Sequence, residues 1–343
     1  VRNLESWRQA LDVAGIALRR DLSQTARATA RALTGGTSPE ATVVWKVVNS
    51  DIEGRNFRYR YTVYPADTPA TPERIWAINL HGYFAGGTMY ARESERLATR
   101  LGWRVVNPSF PGFGGSDPLE WGELSISALS RFLDTVRSDL GITKFVLLGH
   151  SMGGAIAIDY AARNPDDVLG LIYRDGVATP QWQDRNGVTA RVLRPAMPDV
   201  APYADLMSAI ALDIPDLLMG HLFTTLRALW PDLRSNVKTV THSIPVGSML
   251  MSLDLTESVR RVNVARVPML SVWGCFDHVV TTSTADAFAD ITGSPTQWVI
   301  GGHSWMLARP SAQSDVLEHT PAGRAFHDAV RRRAETTHAA LTA

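Results

Sequence analysis

Six short apolar runs recur along the chain: RIWAINL from residue 74, WRVVNP from 103, KFVLLG from 144, VLGLIYRD from 168, VPMLSVWG from 267 and TQWVIGG from 296. None alternates cleanly between apolar and polar residues, so each reads as a strand covered on both faces. Stretches with helical spacing separate them, near 90–101, near 124–140, from about 152, near 283–291 and near 321–336. Strands that are dry on both sides need helices on both sides, which calls for a mostly parallel sheet joined by crossover helices. Upstream, ATVVWKVV and NFRYRYTVY flank the turn-like NSDIEG and predict a β-hairpin. The expected fold class is thus α/β, with an eight-stranded sheet.

The alternation stops between residues 179 and 265. That block carries helical patterns, prolines and methionines but no persuasive strand, and it predicts a helical insertion after the sixth strand. The expected organisation is an N-terminal amphipathic helix (1–36), a first core part (37–178), the insertion (179–265) and a second core part (266–343). In the N-terminal segment Leu4, Trp7, Leu11, Ala14, Leu18 and Leu22 follow three- and four-residue steps. Such a helix packs on its own domain or on a second copy of the chain, and a peripheral membrane contact is the lesser alternative. Glu5, Asp12 and Asp21 on its polar side weigh against the membrane.

Composition removes several function classes. Thirty-four Lys and Arg balance thirty-four Asp and Glu, which leaves no overall field for nucleic acid. The lone cysteine, Cys275, excludes an internal disulfide and a structural zinc cluster, fits a reducing compartment and sets the expected location as cytoplasmic. No apolar run is long enough for a transmembrane helix. No His, Asp or Glu spacing suggests a metal, and no phosphate-binding loop or cofactor motif occurs.

In an open parallel sheet, ligands bind beyond the carboxyl ends of the strands. The loops expected there hold HGYFAGG, PGFGGSD, HSMGG, CFDHVV and HSWM, and bring Ser151, Asp277 and His303 to one edge in that chain order. With these residues in view, the chain resembles the α/β-hydrolase superfamily from about residue 41 onward. Gly149-His150-Ser151-Met152-Gly153 is similar to its nucleophile elbow, Gly-x-Ser-x-Gly, placed between a strand and a helix. The resemblance implies Ser151 as nucleophile, His303 as base, Asp277 as the acid orienting it, and the backbone N–H groups of Met152 and Tyr83 as the oxyanion hole, with Phe84 as the fallback for Tyr83. Asp175, after the sixth strand, is the alternative acid. Among the other histidines, His81 reads as structural and His150 is expected to point away from the site.

Helices inserted at this point form a cap in the superfamily. Phe84, Trp305, Met207, Met219 and Phe223 are therefore the expected substrate-binding side chains, and the methionines suit a pocket that adapts to apolar groups. The implied activity is cofactor-independent hydrolysis of a small apolar carboxylic ester through an acyl-enzyme, in an esterase- or lipase-like member. C–C bond hydrolysis, perhydrolysis, thioester hydrolysis and acyl transfer use the same triad and stay open. A non-catalytic small-molecule receptor is the reading from another class. Exchanging the cap for a short linker is expected to flatten chain-length preference and leave the triad competent.

Overall fold

The computed structural model describes residues 4–16, 42–50, 55–64, 75–184, 187–219 and 222–342. Eight strands form one sheet: β1 (Thr42–Ser50), β2 (Arg55–Tyr64), β3 (Trp76–Leu80), β4 (Arg104–Pro108), β5 (Phe145–His150), β6 (Val168–Arg174), β7 (Met269–Gly274) and β8 (Gln297–Val299). Their order is β1-β2-β4-β3-β5-β6-β7-β8. The β1–β2 hairpin and the β2–β4 pairing are antiparallel, and every later pairing is parallel.

All six residues of β5 and all seven of β6 are buried. Period-two geometry divides them between two cores: Leu147 joins Ile78, Leu129, Phe132 and Ile156 on one face, while Val146 and Leu148 join Ala77, Leu97 and Val316 on the other. Each such side chain contributes roughly 1.5–3 kcal/mol on burial, so the dry sheet centre is the rigid frame for whatever its loops carry. The covering helices are α2 (Ala91–Leu101), α3 (Ile126–Leu140), α4 (Met152–Arg163), α10 (Thr282–Thr292), α12 (Ala312–His319) and α13 (Pro321–Thr342). All but α12 match the helical stretches expected from spacing, and α4 is buried from Met152 to Ala161 because it fills the middle of one face.

A first helix, α1, runs over residues 4–16. It packs on its own domain, but through a different stripe from the expected one. Ala10 and Val13 are the buried positions and Trp7 meets Phe276 with ring centroids 5.5 Å apart, whereas Leu4 is 89% exposed and Leu11 61%. At 100° per residue the two leucines fall on the side of the helix away from Val13. Leu18 and Leu22 lie outside the described residues.

Between β6 and β7 the chain forms α5 (Val188–Leu193), α6 (Ala201–Met219), α7 (Leu222–Lys238), α8 (Val240–Met251) and α9 (Thr256–Val264), with no strand among its described residues. A short helix after β8, α11 (Trp305–Ala308), completes the set. No helix of the described residues is long and apolar enough to cross a membrane.

Candidate active site

Ser151 occupies the single position between β5 and α4, with φ 54° and ψ −118°. A non-glycine residue there costs about 1–3 kcal/mol and survives only where its surroundings leave no alternative. Two close approaches supply that constraint. A Cβ at Gly149 would lie 2.5 Å from the Gly153 carbonyl oxygen, and one at Gly153 would lie 2.4 Å from that of Leu80. The Ser151 N–H donates to the Arg174 carbonyl at 3.0 Å, which ties the turn to β6. Ser151 lines a cavity above the sheet edge.

Asp277, in the loop after β7, accepts N–H bonds from Val279 and Val280 on Oδ1 at 2.7 and 2.8 Å. Its Oδ2 accepts from His303 Nδ1 at 2.8 Å. One oxygen thus locks the carboxylate while the other fixes the imidazole tautomer, which leaves Nε2 as the nitrogen able to take a proton. His303 and Ser151 line the same cavity. Asp175 has a different set of partners: Oδ1 accepts from Gly274 N–H at 2.8 Å and Oδ2 from the Trp305 indole N–H at 2.6 Å. Burial, reinforced by the neighbouring Asp277, pushes its carboxyl well above the usual range.

Donor atoms of Asp175, Asp277 and His303 lie within 4.8 Å of one another, as cation ligands would. They are already committed to the N–H groups just named. A second such group, Asp315, Glu318 and His319, faces the Arg100 guanidinium, which pairs with both carboxylates.

The structure places His150 toward the site, against the expectation that it points away. Its ring lies 4.6 Å from that of His303 between centroids, its Nε2–H donates to the His303 carbonyl at 2.9 Å, and its Nδ1 accepts from the Tyr90 hydroxyl at 2.6 Å. Tyr90 oxygen in turn accepts from the Gly82 N–H at 3.1 Å. The chain Gly82–Tyr90–His150–His303 thereby joins the segment after β3, the end of β5 and the loop after β8 through neutral groups, and burial holds the His150 pKa well below the ordinary value. His81 is structural, as expected. Its Nδ1–H donates to the Gly82 carbonyl, its Nε2 accepts from Phe110 N–H, and burial lowers its pKa to about 4.

Met152 starts α4, where first-turn N–H groups have no intrahelical acceptor. In the opposing turn the Gly82 N–H is committed to Tyr90 and the Ala85 N–H to the Gly82 carbonyl, so neither competes with Tyr83 as an oxyanion donor. Phe84, next to Tyr83, has φ 59° and is a second strained non-glycine residue in this wall.

The cavity measures about 420 Å³ and is mostly apolar. Phe84 and Met207 line it, with Val177, Trp182, Ile210 and Leu250. Trp305 does not, because its indole turns inward to Asp175. The side chains of Met219 and Phe223 lie outside the described residues. Sequence reading also missed Asp213 of α6. It lines the cavity and accepts the His303 N–H on Oδ1 at 2.7 Å, and burial raises its pKa. Its spacing in a helical pattern carries no sign of that contact.

A family model described as the alpha/beta hydrolase fold matches residues 78–315. A protein of Mycobacterium phage D29, provisionally named a non-heme haloperoxidase, is 26% identical over 249 residues, covering 70% of this chain and 85% of its own. The 2-succinyl-6-hydroxy-2,4-cyclohexadiene-1-carboxylate synthase of Pectobacterium atrosepticum is 25% identical over 253 residues, covering 71% and 92%. Among solved structures, a bacterial membrane phospholipase A superposes with a TM-score of 0.59 at 22% identity, over 94% of this chain and 96% of that one. A thermophilic esterase from Thermogutta terrifontis gives 0.58 at 19% identity, over 84% and 99%. At these identities the solved structures speak for the fold alone.

Proposed function

The chain belongs to the alpha/beta hydrolase family, and from that premise we propose that it is a serine hydrolase of carboxylic esters with an apolar acyl or alcohol group. The observation that carries this reading is the Asp277–His303 hydrogen bond on the wall of the apolar cavity that also exposes the strained Ser151. Ser151 Oγ attacks the ester carbonyl as His303 Nε2 takes its proton. The tetrahedral oxyanion is held by the N–H groups of Met152 and Tyr83, each contributing about 3 kcal/mol in such sites. Collapse expels the alcohol, which receives the proton from His303, and a water activated by the same imidazole then hydrolyses the acyl-enzyme. No cofactor is required by these steps.

The cavity also bears on the choice among reactions of this family. Beside His150, His303 and the phenols of Tyr83 and Tyr90, its described lining residues include one carboxyl, Asp213, in an otherwise apolar wall. That setting disfavours substrates bearing carboxylates, which weighs against hydrolysis of a dioate such as that in the name of a partial relative from Cupriavidus pinatubonensis. A fluorophosphonate probe with a p-nitrophenyl butyrate assay tests the ester reading. Stoichiometric labelling of Ser151 with loss of ester turnover is expected, and an unlabelled, inactive protein would favour the receptor reading.

A further inference from the structure

We propose that Asn236, on α7 of the helical insertion, is a positioning residue that holds the oxyanion turn in its working shape. The inference rests on the esterase reading for its functional consequence, but its structural part stands on separate contacts. The Asn236 side chain is buried, with 2% exposure, and does not line the cavity. Its Nδ2 donates to the carbonyl oxygens of Phe84 and Ala85, both at 2.9 Å, while its Oδ1 accepts from the Gly114 N–H at 2.7 Å. Two carbonyls and one N–H leave a single consistent orientation for the amide, since only its NH₂ can satisfy the carbonyls and only its oxygen the N–H.

The bonded segment is the one most in need of support. Phe84 sits at φ 59°, a conformation that side-chain-bearing residues adopt only under constraint, and the peptide preceding it carries the Tyr83 carbonyl. The two bonds hold the 84–85 and 85–86 peptides; the Tyr83 N–H lies two peptide units before the first of these, so the clamp acts on it through the turn they share, by restricting the Phe84 backbone angles that join them. One helical turn earlier, Asp232 accepts from the Met89 N–H at 3.0 Å and pairs with the buried Arg60, so α7 grips the same loop twice. The Gly114 bond gives a role to the PGFGGSD loop: it anchors the far end of the Asn236 amide, whose two strands of contact join loops that lie 122 and 152 residues away in sequence. The insertion is in this respect part of the oxyanion hole's support as well as a cover.

Asn236→Leu keeps similar bulk and removes all three bonds; Asn236→Asp keeps the acceptor and puts oxygen against two carbonyls. With p-nitrophenyl butyrate, both are expected to lose at least 100-fold in kcat with KM within threefold, because the residue touches no substrate. The affinity of a trifluoromethyl ketone, whose adduct places an oxyanion in the hole, should weaken in step with kcat/KM. Amide hydrogen exchange across residues 82–86 should quicken, which reports on the clamp without reference to turnover. Should the leucine variant not fold, Asn236→Ser, with one remaining donor, is expected to lose about tenfold in the same measurements. Folded variants with kcat within threefold of wild type, or with unchanged exchange at 82–86, would overturn the proposal. Faster exchange in the variants, with a wild-type protein that hydrolyses no ester, would instead leave the clamp standing and remove the esterase reading.

Discussion

The sheet and the helical insertion close on the same cavity but are fastened by different physics. Around Ser151 the constraint is volume: Gly149 and Gly153 approach backbone oxygens so closely that no side chain fits, and the strands beneath are dry on both faces. The insertion meets the loops through directional contacts, Asp213 to His303, Asp232 to Met89 and Asn236 to Phe84, Ala85 and Gly114. Its outer surface stays apolar and exposed at Trp230, Val237 and Ile244. Size therefore decides tolerance on the sheet side, and hydrogen-bond identity decides it on the insertion side.

Ser151→Ala tests the sheet side most severely. Ser151 is small and lines the cavity, so the variant should fold while ester turnover falls on the order of a million-fold. A clean preparation retaining a tenth of wild-type activity would remove the nucleophile assignment.

The two buried acids sharpen the comparison next. Asp277→Asn should lower kcat/KM by about ten-thousandfold, since it disturbs the partner of His303 Nδ1. Asp175→Asn should cost at least a hundredfold less, because Asp175 holds Gly274 and Trp305 instead. The opposite ranking would assign the acid to the end of β6.

A smaller effect separates the regions by pH. His81 is buried and neutral with a pKa of about 4, below the ordinary imidazole value, and His150 is lowered in the same direction. Between pH 6.5 and about 4 the unfolded chain therefore binds more protons at these sites than the native protein does. Their stability contribution is complete above pH 6.5 and is lost as pH falls. His81 alone amounts to about 3 kcal/mol over that window, at up to about 1.4 kcal/mol per pH unit. Asp175 and Asp213, whose pKa values are raised, act in the opposite sense, so urea unfolding of wild type should be compared with His81→Asn. The wild-type curve should fall more steeply between pH 6.5 and 4.5, and parallel curves would mean that His81 is not held neutral.

The mildest test concerns the cavity. From p-nitrophenyl acetate to butyrate, two methylenes at about 0.8 kcal/mol each should raise kcat/KM roughly 15-fold, and Met207→Ala should flatten the rise. Equal specificity constants across the series would point to a small polar substrate. Exchanging the whole insertion for a linker is a poorer probe than sequence reading expects. Asp213 and Asn236 would leave with it, and the loops of His303 and Tyr83 would lose their partners.

Much was legible in the sequence because its causes are local. Dry strands such as KFVLLG announce themselves by composition, and the HSMGG turn by its need for small residues beside a strained serine. The order of Ser151, Asp277 and His303 followed from placing each after a strand. Other features had no local signature. His150 faces the site because Tyr90 and the His303 carbonyl satisfy its two nitrogens, and Trp305 turns away from the cavity because Asp175 accepts its N–H.

The sequence by itself determined the strand and helix pattern, the insertion point after β6 and the residue types at the strand ends, since period and backbone sterics act over a few positions. Only the tertiary structure decided which face of α1 is buried, which acid meets His303, and that Asp213 and Asn236 serve the loops opposite them. The last two depend on hydrogen bonds whose partners lie 90 to 152 residues apart, and the Asp277–His303 bond spans 26. A polar side chain in a helical pattern reads as solvated until its partner's position is known, because a hydrogen bond is specified by both of its ends.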